Sequence, residues 1–268
     1  AGLIDDDEIP EVKESKVKLG DIWQLGEHRL MCGDSTSLDD VAKLMNGEKA
    51  DMVFTDPPYG MFLDTNYKRK MSKSFANAKG LPEFAGSNNT KVIGDNEDFK
   101  PELISTIFNN FDYCKEIFLW GVDYYFECVK DFKKGAIMVW DKRSNADGSV
   151  LGSTVGSHFE LCFSKQKHTR EIVRVKWCFI FGTEKEFDRK RHHPTQKPIL
   201  LSEFFIEKYS KENNTIIDLY LGSGSTLIAA EKLNRKCYGM ELDEKYCDVI
   251  INRWEQFTGL KAIKNGTK

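Results

Sequence analysis

The chain lacks the features that would place it outside a reducing compartment or in a membrane. Its 268 residues contain seven cysteines, an odd number with no Cys-x-x-Cys pair. That argues against a disulfide framework and against a thiolate zinc site. Histidine is scarce, and the adjacent His192 and His193 have no matching ligand pair nearby, so no metal site is expected. There is no signal peptide and no apolar run of about 18 residues or more, which leaves neither a secreted nor a membrane-spanning protein. A cytoplasmic location is the expectation. At 40% apolar content a sizeable core is available, and disorder of the whole chain is excluded.

Positive charge is also short overall, with a net charge of -3, but its distribution matters more than its sum. Between residues 5 and 14, Asp5, Asp6, Asp7, Glu8, Glu11 and Glu14 are opposed by Lys13 alone. Residues 1–19 therefore read as an acidic arm or linker, and Ala1 in place of a methionine makes an additional upstream domain an expectation. Basic side chains gather elsewhere. Lys68, Arg69, Lys70 and Lys73 lie in an acid-free window within the polar segment 61–99, among scattered aromatics. Arg174, Lys176, Arg189, Lys190 and Arg191 belong to a second cluster in 164–193. Basic residues interleaved with aromatics suit phosphate contacts and base stacking. The first segment is expected to be a DNA-contacting loop and the second a short target-recognition segment.

Between these segments the pattern alternates strands and helices, the mark of a mostly parallel sheet. Strands are expected at 20–26, 28–32, 52–54, 116–121, 136–140, 172–177, 215–220 and 236–240, and helices at 35–46, 101–111, 124–132, from Pro198 through Ile206, 227–233 and from Asp243 to about Phe257. The run Phe159–Phe163 follows its predecessor without a helix, which predicts one antiparallel strand. Residues 20–258 are thus read as one α/β domain, and 259–268 as a basic tail that frays.

Two strand ends carry chemistry. After Met52-Val53-Phe54 comes Thr55-Asp56-Pro57-Pro58-Tyr59-Gly60. Asp56 can accept one hydrogen of an exocyclic amino group and the carbonyl of Pro57 the other, pre-aimed by the fixed φ of proline. Tyr59 offers a stacking face. The second is Asp218-Leu219-Tyr220-Leu221-Gly222-Ser223-Gly224-Ser225-Thr226, a strand ending in a carboxylate and two glycines where backbone approaches a ligand. Glu241 ends the next strand, the position from which an acid holds a ribose diol. A dehydrogenase fingerprint fails because Leu227 stands where a third glycine belongs, and a P-loop fails for want of Gly-Lys-Ser/Thr. A ribose-binding acid beside a loop without a phosphate cradle points to S-adenosylmethionine.

Taken in this order, the motifs from about Gly20 to Phe257 resemble the β-class of DNA amino-methyltransferases, in which Asp-Pro-Pro-Tyr precedes the glycine-rich motif. The resemblance implies a doubly wound, mostly parallel seven-stranded α/β sheet with one antiparallel strand, circularly permuted so that the chain enters at the third strand. It implies Asp56, Pro57, Pro58 and Tyr59 as the catalytic motif, with S-adenosylmethionine held by Asp56 as well as Asp218, Tyr220, Gly222, Ser223, Gly224, Thr226, Glu241 and Leu242. It places Thr195 and Lys197, in Pro-Thr-Gln-Lys-Pro, near the methionine carboxylate, and Asp34 and Ser35, in Gly-Asp-Ser, at the adenine. The usual Asp-Pro-Phe is here Asp218-Leu219-Tyr220, which keeps the aromatic wall. The implied activity is methyl transfer to the N6 amino group of adenine in flipped-out DNA. Cytosine N4 is the alternative base, and a catalytically silent nucleic-acid-binding subunit is the alternative role. A homodimer is a further expectation of the resemblance.

Overall fold

The computed structural model describes residues 14–59, 68–70, 84–86, 100–143, 157–175 and 196–265. The expectations placed on Lys73, Lys176, Arg189, Lys190, Arg191 and Thr195 lie outside these residues. In chain order the elements are β1 (Ile22–Leu25), β2 (His28–Cys32), α1 (Leu38–Met45), β3 (Met52–Thr55), β4 (Lys68–Lys70), β5 (Phe84–Gly86), α2 (Glu102–Phe111), β6 (Glu116–Trp120), β7 (Ala136–Asp141), β8 (Phe159–Ser164), β9 (Ile172–Arg174), α3 (Ile199–Tyr209), β10 (Thr215–Asp218), α4 (Ser225–Lys232), β11 (Lys236–Glu241), α5 (Glu244–Thr258) and β12 (Ile263–Lys264).

One sheet holds all but β4 and β5, in the order β12-β1-β2-β11-β10-β3-β6-β8-β7-β9. Within it the seven strands from β2 to β7 form the expected permuted sheet. β2, β11, β10, β3 and β6 run parallel, and β8 is the antiparallel member, paired with both β6 and β7. Three short strands widen the sheet beyond seven: β1 and β12 at one edge, β9 at the other. The strand residues alternate between two cores, as a pleated sheet covered on both faces requires. Met52, Phe54 and Ile216 face α3, α4 and α5, and Val53 and Ile217 face α1 and α2.

Four local differences from the expected elements have physical causes. The segment 124–132 forms short 3-10 turns, not a helix. Its backbone breaks at Tyr125 (φ -144°), whose buried ring sends its hydroxyl back to the Trp120 carbonyl. The leader is fixed from Ser15 onwards: Val17 is fully buried, and Asp248 Oδ2 accepts from Ser15 Oγ (2.6 Å), Lys16 N (2.8 Å) and Val17 N (3.3 Å). The tail after α5 does not simply fray, because β12 pairs with β1 at Trp23 and Gln24. Within the expected loop 61–99, β4 and β5 make an antiparallel ribbon that pairs Arg69 with Ala85. Lys68, Arg69 and Lys70 are its first strand.

Candidate active site

The two chemical strand ends are neighbours. β10 pairs in parallel with β3, so Asp218 and the Thr55-Asp56 step emerge side by side at the carboxyl edge of the sheet. From this pair the sheet extends to β11 and β2 on one side and to β6, β8 and β7 on the other. That is the switch point where open α/β sheets bind ligands. The ends are tied together: Thr55 Oγ1 donates to Asp218 Oδ1 at 2.7 Å, Thr226 Oγ1 to Oδ2 at 2.7 Å, and Tyr220 N to Oδ1 at 3.1 Å. Asp218 therefore braces the turn with both oxygens. Burial pushes its carboxyl up to about 6, against the pull of Thr226, Thr55 and the Tyr220 amide.

The glycine turn needs its glycines: Gly222 (φ 55°) and Gly224 (φ 85°) are both left-handed, a region other residues rarely enter. Glu241 Oε2 accepts from Gly222 N and Oε1 from Asp243 N, both at 2.9 Å, so this acid links the turn to the start of α5. Burial raises Glu241 to about 7 despite those two donors. On the neighbouring strand end, Ser35 Oγ donates to the Leu219 carbonyl, and Asp34 Oδ1 accepts from Thr36 N and Oγ1. Leu242, beyond Glu241, is partly exposed. Two residues missed by sequence reasoning complete the turn. Buried Arg253 donates through Nη1 to the Ser223 carbonyl at 2.8 Å, and Ser225 Oγ donates to the Lys197 carbonyl at 2.8 Å.

Around Asp56 the structure assembles a charge network. Lys197 Nζ donates to Asp56 Oδ2 and lies 3.3 Å from Glu160 Oε2, while Lys142 pairs with Glu160 Oε1. The Lys197 ammonium also sits 5.6 Å from the centre of the Trp120 ring. Here Lys197 is engaged with Asp56 and Glu160, a contact the resemblance did not imply. Burial pushes the Asp56 carboxyl above its ordinary range against the pull of Lys197. At Glu160 burial acts in the same direction, but Lys197 and Lys142 together hold the carboxyl down at about 2. Asp56 Oδ1 is buried with no hydrogen-bond partner among the described residues. A buried acceptor without a partner is costly.

Pro57 is buried and Pro58 half-buried, and Tyr59 stacks on Tyr124 with centroids 4.5 Å apart and planes 14° from parallel. The ring lies against Gly121, where an added Cβ would meet Tyr59 Cε1 at 2.2 Å. Arg174 is brought to the same rim, since β9 runs parallel to β7 with Arg174 in register with Asp141. It stands four strands from Asp56, about 19 Å at the usual strand spacing. Among the described residues no three His, Cys, Asp or Glu side chains gather as a metal site, and no helix is long and apolar enough to cross a membrane.

A permuted doubly wound sheet with one antiparallel strand, its two polar turns meeting at the switch point, defines a methyltransferase fold. The PvuII DNA methyltransferase (cytosine-N4-specific) shares that architecture with a TM-score of 0.54 at 14% identity, over 94% of this chain and 92% of its own. The family model for DNA methylase matches residues 50–253, and the chain belongs to that family, the N6/N4 DNA methyltransferases. Relatives include YubD of Escherichia coli (strain K12), which carries a methylase name. It is 39% identical over 223 residues, 75% of this chain and 79% of YubD. The Type II methyltransferase M.HinfI of Haemophilus influenzae is 32% identical over 240 residues, 79% of this chain and 64% of its own length.

Proposed function

We propose that the chain transfers a methyl group from S-adenosylmethionine to the N6 amino group of adenine in DNA. The observation that carries this reading is Asp56 Oδ1, a buried acceptor with no hydrogen-bond partner among the described residues, beside the glycine turn. The residues present fit the methyl donor at its ribose, where Glu241 is a half-buried acid at a strand end suited to a diol, while the Lys197 ammonium is engaged by Asp56 and Glu160. When bound, the donor supplies an electrophilic methyl on a sulfonium.

The chain's own residues do the rest. Asp56 Oδ1 and the Pro57 carbonyl each accept one amino hydrogen, which draws the nitrogen lone pair out of conjugation and aims it at the methyl. Tyr59 supports the base by stacking, and the base must leave the helix because its amino group is otherwise paired. Positioning is the main contribution. Adenine is preferred because the motif opens with Asp. Lys68, Arg69, Lys70, Lys73, Arg174, Lys176, Arg189, Lys190 and Arg191 would serve the phosphate backbone.

Incubation with radiolabelled S-adenosylmethionine and DNA, followed by nucleoside separation, should put label in N6-methyladenine. Label in N4-methylcytosine would change the base, and none in either would leave a silent nucleic-acid-binding protein. Asp56→Ala should lower transfer by about 10²-fold or more, with cofactor affinity kept within about twofold.

A further inference from the structure

Glu160 stands on β8, and neither the motifs nor the proposed reaction uses it. It is an acid within an otherwise apolar run, Phe159-Glu160-Leu161-Cys162-Phe163. The antiparallel insertion of β8 between β6 and β7 carries it to the rim where Asp56 emerges. Its two oxygens face two lysines from distant parts of the chain: Lys142, just beyond β7, at Oε1, and Lys197, ahead of α3, 3.3 Å from Oε2. Lys197 in turn holds Asp56 Oδ2. The sequence Asp56, Lys197, Glu160, Lys142 alternates in sign and sums to zero. Lys142 and Lys197 are largely buried, at 16% and 12% exposure, so water does little to screen the balance.

On the reading that this site methylates an amino group, we infer that Glu160 is a positioning residue that divides Lys197 with Asp56 and neutralises Lys142. Asp56 thereby remains an acceptor facing a nitrogen that gains positive charge. As the N–CH3 bond forms, the S–CH3 bond of the sulfonium breaks to leave a neutral thioether, and the nitrogen stays cationic until its extra proton is released to water, so an uncompensated lysine nearby raises the barrier. With Glu160 neutral, Lys197 belongs wholly to Asp56 and Lys142 loses its counter-ion. The group then carries one net positive charge. Asp218, tied to Thr55, Tyr220 and Thr226, is the same in parent and variant, so it leaves this change of one charge unaltered.

The test compares Glu160→Gln, Glu160→Asp, Lys142→Met and the double variant Glu160→Gln/Lys142→Met by steady-state methylation. Thermal melts are run alongside. Glu160→Gln should lower kcat by about 10- to 100-fold while KM for DNA and for S-adenosylmethionine stays within about twofold. Glu160→Asp keeps the charge and should retain most of kcat. The double variant restores zero net charge and should recover at least about fivefold over Glu160→Gln, taking an order-of-magnitude electrostatic effect. A double variant no more active than Glu160→Gln overturns the proposal, as does a Glu160→Gln enzyme with unchanged kcat. Should Glu160→Gln fail to fold, the comparison of Glu160→Asp with Lys142→Met decides: charge balance requires the former to stay active, and its loss to background overturns the inference. If the unaltered chain labels no base, the functional reading fails instead, so the two failures are told apart.

Discussion

Thr55 and Asp218 are joined by a 2.7 Å hydrogen bond between two buried side chains 163 residues apart in sequence. This bond crosses the seam between β3 and β10, where the Asp56-Pro57-Pro58-Tyr59 turn and the Gly222 turn lie side by side. Neither residue faces the ligand directly through this contact. Together they fix the relative position of the two turns.

Replacing Thr55 with valine keeps the β-branched shape suited to a strand and removes the donor. Asp218 Oδ1 then retains only the Tyr220 amide at 3.1 Å. The expected cost is about 1–3 kcal/mol of stability, the usual penalty for a buried polar group stripped of a partner. Because Thr55 is among the groups that hold the Asp218 carboxyl down, its pKa should rise further from about 6. Chemical denaturation of the two proteins measures the first effect. A Thr55→Val protein as stable as the parent would show that the bond does not brace the seam.

Gly121 makes room for Tyr59. It has φ 72°, and a Cβ there would lie 2.2 Å from Tyr59 Cε1 and 2.7 Å from Cδ1. Gly121→Ala therefore combines backbone strain of about 1 kcal/mol with displacement of the ring from its stack on Tyr124. Transfer to a base in single-stranded DNA should fall by at least about tenfold if a displacement near 1 Å is enough to misplace the reacting group. Cofactor affinity, measured by calorimetry, should stay close to the parent value. Equal loss of both would indicate a general collapse of the rim, and not a specific loss of the stacking face.

The legible part of this site consists of residues punctuated by backbone chemistry. Asp56-Pro57-Pro58-Tyr59 and Gly222-Ser223-Gly224 stand at the ends of short apolar runs, where period and turn residues agree. Strand order follows once both are placed at carboxyl ends. Glu160 could not be placed in that way, because its partners Lys142 and Lys197 come to it only through the antiparallel insertion of β8. The one available signal was an acid inside an apolar strand. Ser15 to Val17 were hidden for a related reason: their donors reach Asp248 across 231 to 233 residues, and an acidic, aperiodic leader carries no local mark of that contact. Residues 124–132 misled because their aromatic spacing imitates a helix, whereas Tyr125 turns inwards and Asp131 enters the left-handed region.

Asp248 is a stability residue separate from the site chemistry. One carboxylate oxygen gathers a hydroxyl and two backbone amides, and it seats fully buried Val17 against the core. Asp248→Ala leaves those donors without their acceptor and frees the start of the domain. A loss of about 2–3 kcal/mol is expected from the charge-assisted bonds alone. For a domain of this size that corresponds to a fall in Tm of roughly 4–12 °C. Methylation measured well below the lowered Tm should be nearly unchanged, since nothing in the Asp56 network touches this contact. A large drop in kcat at such a temperature would mean that the leader communicates with the site.

Glu241 sets a pH dependence with opposite signs for stability and for binding. Burial pushes its carboxyl up to about 7, partly offset by the amides of Asp243 and Gly222. Unfolded, a glutamate titrates near ~4.3. Between these values the folded protein holds a proton that the unfolded chain does not, so ΔG of unfolding falls as pH rises through this window. This group's favourable contribution is complete below about 4.3 and is lost by the time pH passes about 7. Ligand binding runs the other way, because a diol donates to a carboxylate better than to a carboxylic acid. Affinity for S-adenosylhomocysteine, measured by calorimetry from pH 6 to pH 8, should therefore increase with pH, with a midpoint at or below about 7 once diol donors favour the ionised form. Glu241→Gln should bind more weakly, lose this dependence and also lose stability, because its amide nitrogen cannot accept from whichever of Gly222 N and Asp243 N it faces. Affinity that falls across this range, or an identical slope in the Gln variant, would remove Glu241 from the diol and assign it solely to linking the Gly222 turn with Asp243.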